Sequence, residues 1–187
     1  MRLRRTTVIA AAVAAVAATT AAVYPGAPAD RLQPMPALTA PALTARYTAD
    51  SHQIALAAGA AGRAGNTGLA RSLEAMHGGH FLDFDAAGQG LAVEVFGDLA
   101  TATRVAILVP GSDTSLATFG SRGTASPEGG ARALAAEARK LDPGARLAVI
   151  AWLGYQTPST LSPAVMTSGD AGQGADALRP FVDDPLL

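Results

Sequence analysis

The sequence predicts an α/β fold, a small mixed sheet with helices packed on it, and three stretches carry that prediction. Phe81 to Asp85 and Leu91 to Phe96 alternate in side-chain type on either side of Gly88-Gln89-Gly90, the pattern of an antiparallel hairpin. Val105 to Val109 and Leu147 to Leu153 are instead unbroken apolar runs, which fits parallel strands covered on both faces. Between those runs Ala131, Leu134, Ala135, Ala138 and Leu141 recur at helical spacing. Strand, helix and strand then form a βαβ unit, whose crossover should be right-handed.

Taken from the start, residues 1–29 have the three-part layout of an export signal. Arg2, Arg4 and Arg5 precede an apolar run from Val8 to Val23, and Ala27-Pro28-Ala29 offers a small-x-small cleavage site. The run is 16 residues long, short of the roughly 20 that span a bilayer. The expectation is therefore a secreted or extracytoplasmic chain, held at a membrane only if the segment stays uncleaved. Cleavage after Ala29 would remove three of the 14 basic side chains and none of the 15 acidic ones, leaving 11 against 15 and a net charge of −4. A mildly acidic chain with Lys140 as its one lysine is a poor nucleic-acid binder. It has no cysteine, so packing alone must hold the exported fold.

Residues 30–45 contain Pro34, Pro36 and Pro41 among alanine, leucine and threonine, and read as a tether without packed structure. Residues 46–80 form a helical prefix. Ile54, Leu56, Leu69, Leu73 and Met76 recur at roughly helical spacing around a break between Gly62 and Gly68. Residues 81–187 are the α/β domain. In its first strand the alternation puts Leu82 and Phe84 on one face and Asp83 and Asp85 on a wet one. Ser126 is an N-cap with Pro127 in the first turn, and Pro143-Gly144 marks the helix end. A last helix is expected from Ala171 to Val182.

Chemistry is expected at Pro110-Gly111-Ser112-Asp113, because ligands of open α/β sheets bind beyond the carboxyl ends of the parallel strands. Pro110 and Gly111 form the loop, and the amides of Ser112 and Asp113 are candidate oxyanion-hole donors. The plainer alternative is that Pro-Gly only ends the strand while the hydroxyls cap a turn. The other polar groups read as structural. His77 and His80 flank two glycines with no third metal ligand nearby, and His52 stands alone on a helix. Trp152 reads as core. Ser112 and Ser115 lie near the cleft without an identifiable histidine. No catalytic residue, metal ligand or cofactor is assigned.

Ala92-Val93-Glu94-Val95-Phe96-Gly97-Asp98-Leu99, Val109-Pro110-Gly111-Ser112-Asp113-Thr114 and Ala151-Trp152-Leu153-Gly154-Tyr155 together resemble a secreted actinomycete alpha/beta-hydrolase family of unknown function. The resemblance runs from Arg46 to Leu187 and covers the N-terminal half of the family's domain. It implies a partial alpha/beta-hydrolase sheet with the antiparallel hairpin, two parallel strands and flanking helices. It also implies a Ser/His/Asp hydrolase of small esters or amides, with its nucleophile in a Gly-His-Ser-Tyr-Gly elbow. No Gly-x-Ser-x-Gly occurs in these residues, and the family order of serine, acid and histidine would put the whole triad beyond Leu187. The expectation is a chain without turnover of its own. The resemblance also sets the strand at Ile107 in the middle of the family sheet, so one flank of it is left bare here. The alternative function is a non-catalytic secreted module that pairs with a protein partner through that edge.

Overall fold

The computed structural model describes residues 39–161 and 169–183. The export segment and residues 30–38 of the expected tether lie outside them. A four-stranded mixed sheet has the order β1-β2-β4-β3. It comprises β1 (His80–Asp85), β2 (Leu91–Phe96), β3 (Arg104–Leu108) and β4 (Leu147–Leu153). β1 runs antiparallel to β2 and β2 antiparallel to β4, while β3 and β4 are parallel. The helices are α1 (Ala40–Arg63), α2 (Thr67–Ala75), α3 (Leu116–Phe119), α4 (Pro127–Leu141) and α5 (Gly169–Val182). None of the described helices is long and apolar enough to cross a membrane.

The two faces of the sheet bury separate cores. Alternate residues of the parallel strands divide between them: Ala106, Leu108, Val149, Ala151 and Leu153 join α2, α3 and α4 on one face. Val105, Ile107, Ala148, Ile150 and Trp152 meet Leu43 of α1 and Phe181 of α5 on the other. The unbroken apolar runs thus mean what they predicted, a strand pair wet on neither face. Glycine serves the hairpin turn, where Gly88 and Gly90 take φ of 62° and 80°, values that other residues rarely adopt.

α4 is the element most directly written in the sequence. The Ser126 hydroxyl accepts from the Gly129 N–H at 3.1 Å, Pro127 occupies the first turn, and Glu128 favours the positive end of the helix dipole. Its buried stripe is narrower than expected. Ala131 and Ala135 face the sheet, whereas Leu134 and Leu141 are exposed, because small side chains let the helix lie close and leave its flanks outside.

Three expectations are corrected. The stretch 30–45 is not tether throughout, since α1 begins at Ala40 and Leu43 is buried in the second core. Thr39 caps it by accepting from the Ala42 N–H at 3.3 Å, and Pro41 stands in the first turn, where its missing N–H costs nothing. Second, Leu82 and Phe84 do not share a face. The β1–β2 register shifts between Phe81 and Asp83, and this bulge turns Leu82 into one core and Phe84 toward the other. Third, Asp83 is not on a wet face. α1 packs on β1, Arg46 donates to the Leu82 carbonyl at 2.9 Å, and burial raises the Asp83 carboxyl above its ordinary range. Leu56, read as part of the helical stripe, is exposed on α1.

The sheet margins are unequal. α1 lies against β1, whereas β3 pairs with β4 alone among the described residues.

Candidate functional site

The loop that leaves β3 sits at the carboxyl end of the parallel pair, and hydrogen bonds tie it to the segment leaving β4. Tyr155 donates its hydroxyl to the Pro110 carbonyl at 2.9 Å. The Thr157 hydroxyl, in a residue 3% exposed, donates to the Thr114 carbonyl at 2.7 Å and accepts from the Thr114 N–H at 3.0 Å. One buried hydroxyl therefore satisfies both backbone groups of a residue 43 positions away. A third tie is made by Asp113, whose carboxylate accepts from the Thr160 hydroxyl at 2.6 Å and the Thr160 N–H at 3.0 Å. The Thr160 bonds favour the charged form and hold Asp113 below the usual carboxylate range.

This latch fixes an unusual backbone. Asp113 has φ 59°, in the left-handed region that costs a side-chain-bearing residue about 1–2 kcal/mol. The twist sends its N–H to the Pro158 carbonyl at 3.0 Å. Of the two amides expected to serve as oxyanion donors, that of Asp113 is thus already engaged, and a second acceptor would have to displace a protein carbonyl. The Ser112 N–H has no partner among the described residues. Downstream, the Leu116 N–H donates to the Gln89 carbonyl at 3.0 Å and the Ser72 hydroxyl to the Leu116 carbonyl at 2.6 Å, so the loop is also anchored to the hairpin turn and to α2.

No nucleophile is assembled around it among the described residues. Ser115 lies in the loop with its N–H donating to the Thr118 hydroxyl at 3.0 Å. His80 begins β1 opposite Val95, where the parallel strands start rather than end, and stacks on Tyr47 with ring centroids 4.7 Å apart. His52 is exposed on α1. No cluster of three metal-ligating side chains occurs among the described residues.

A family model for alpha/beta hydrolases matches residues 85–185. The chain belongs to the alpha/beta hydrolases. No curated protein and no solved structure matches it. The match takes in β2, β3, α4, β4 and α5 together with the latched loop, and the mixed, helix-flanked sheet is that of a partial alpha/beta-hydrolase fold. Of the residues of this alpha/beta-hydrolase family member singled out by sequence, Pro110, Gly111, Ser112 and Asp113 form the latched loop. Those the sequence reading missed are Thr157 and Thr160, which follow β4 in a stretch without periodicity.

Removing the Thr157 hydroxyl while keeping its shape tests the latch. In Thr157→Val the Thr114 N–H and C=O lose their partner in a buried position, which costs about 1–3 kcal/mol. The expected result is a lower urea midpoint with an unchanged slope, and faster hydrogen exchange at the Thr114 amide. Unchanged exchange there would show that the latch does not hold the loop.

Proposed function

We propose that these residues form the oxyanion half of a serine hydrolase that acts on an ester or amide outside the cytoplasm. No Gly-x-Ser-x-Gly elbow occurs in these residues, so no nucleophile is assigned among them. The carrying observation is the unengaged Ser112 N–H, held by a rigid latch at the carboxyl end of β3. Hydrolases of this fold take one oxyanion donor from the loop after that strand, and a donor fixed before charge develops needs no reorganisation during the reaction. Without a serine and imidazole pair such a dipole has nothing to act on, so these 187 residues are inactive alone. Residues 1–29 support export, with cleavage after Ala29.

A second reading is favoured by β3. Its outer backbone edge pairs with no strand among the described residues, and a bare apolar edge is a template for an added strand. On this reading the chain is a secreted, non-catalytic module that docks a protein partner there.

One set of measurements on the exported chain tests both. A fluorophosphonate probe and an ester substrate should give background signal, and the mature N-terminus should be Asp30. The Ser112 amide should exchange rapidly while those of Asp113 and Thr114 are protected. A labelled serine, or a protected Ser112 amide, sinks the oxyanion reading. Scattering that shows a single monomer, with no apolar dye bound, sinks the docking one.

A further inference from the structure

A cleft of about 340 Å³ opens at the other end of the sheet from the Ser112 loop, between the α2–β1 turn, the last residues of β2 and one face of α4. It is within the size range of small-molecule sites. At its wall lies Glu94, 4% exposed, with Oε2 buried and unpartnered among the described residues. A buried carboxyl without a partner costs stability, and a bound group is one way to satisfy it. Gly79 forms the close side of the site, where a Cβ would stand 2.6 Å from the Glu94 Oε1.

Arg132 and Arg139, seven residues apart and so on one helix face, both line the cleft from α4. Arg132 is paired with Glu128 and lies 5.3 Å over the Phe96 ring, whereas Arg139 has no ion pair among the described residues. Met76, Phe96 and Ala135 add apolar surface.

We propose that this cleft binds a small organic carboxylate, its anion held by Arg139 and hydrogen-bonded by Glu94, its apolar body against Met76 and Phe96. Two observations select an anion over an amine. The unpaired charge in the cleft is positive, and burial with the nearby Glu128 charge pushes the Glu94 carboxyl up to about 8, so at neutral pH it is a donor rather than a counter-ion. Binding therefore needs the Glu94 proton and weakens as pH rises through about 8. The other titratable or charged groups lining the cleft are His77 and His80 from the α2–β1 turn and β1, and Arg132 and Arg139 from α4, while the Glu128 charge acts on Glu94 from the same helix.

The probe is benzoate at millimolar concentration on the full chain, with benzamide and benzylamine as neutral and cationic isosteres, followed through the amide resonances of Gly78, Gly79 and Gly97. Saturable shifts are expected with benzoate and with neither isostere. Arg139→Met changes an exposed side chain, so the fold should persist while affinity drops about tenfold. In Glu94→Gln the amide keeps a donor, and affinity should become insensitive to pH through the same range. The proposal is overturned by absent or non-saturable benzoate shifts, by benzylamine binding as well or better, by an Arg139→Met affinity equal to wild type, or by a pH dependence that survives in Glu94→Gln.

Discussion

Trp152→Ala is expected to destabilise the chain by about 3–5 kcal/mol, the range for deleting a large aromatic from a packed core, which leaves little of the 5–15 kcal/mol typical of a domain. Trp152 is fully buried on β4, which has strand neighbours on both sides. Its ring stacks on Tyr155 with centroids 6.1 Å apart, and the Tyr155 hydroxyl in turn holds the Pro110 carbonyl. The loss should therefore reach beyond the cavity. In addition to a large drop in urea midpoint, the Asp113 and Thr114 amides should lose their exchange protection first. Trp152→Phe separates packing from polarity. The indole N–H has no partner among the described residues, so phenylalanine loses volume but removes an unsatisfied donor, and its cost should be less than half that of alanine. If Trp152→Ala unfolded at the wild-type midpoint, the second core would not depend on this residue.

The same residues show how much of the fold the chain announces locally. α4 was legible because its signals are local ones: a capping serine, a first-turn proline, and Pro143-Gly144 just past the end. β3 and β4 were legible because unbroken apolar runs between turn residues have few other uses. The start of α1 is hidden because a proline-rich composition suggests a tether, whereas Pro41 stands at a first-turn position where proline suits a helix. The β1 bulge falls where Arg46 of α1 donates to the Leu82 carbonyl, and alternation in six residues of β1 holds no trace of that contact.

The site divides in the same way. The position of Pro110 and Gly111 follows from the end of an apolar strand, and the use of such loops for ligands is a property of the topology. Which amide remains available does not. It is decided by Pro158, Thr157 and Thr160, the two threonines lying 43 and 47 residues along the chain from their partners, and by the left-handed backbone at Asp113. The burial of Glu94 is likewise decided at a distance, because the α4 helix and the α2–β1 turn close over it.

That burial gives the chain an expected pH profile opposite to the common one. Glu94 is raised from 4.5 to about 8, chiefly by burial, then by the Glu128 charge, with Arg132 opposing. Between those values the folded chain keeps a proton that the unfolded chain has released. Stability is then greatest below the unfolded value and falls as pH climbs to about 8, beyond which it levels. Asp50, raised to about 6 by burial and by Asp83, and Asp83 itself, act in the same direction at the acid end of the range. Glu94→Gln removes the titration and keeps the shape. Its urea midpoint should stay nearly level between about pH 6, above which Asp50 no longer titrates, and about pH 8, and above the folded value the variant should exceed wild type by about 2–4 kcal/mol, discounted for water that the cleft admits. At the acid end, where both side chains are neutral, the two proteins should unfold together. Parallel profiles over the whole range would mean that Glu94 is ionised in the folded chain, and both the inverted pH dependence and a proton-donating wall in the cleft would then be wrong.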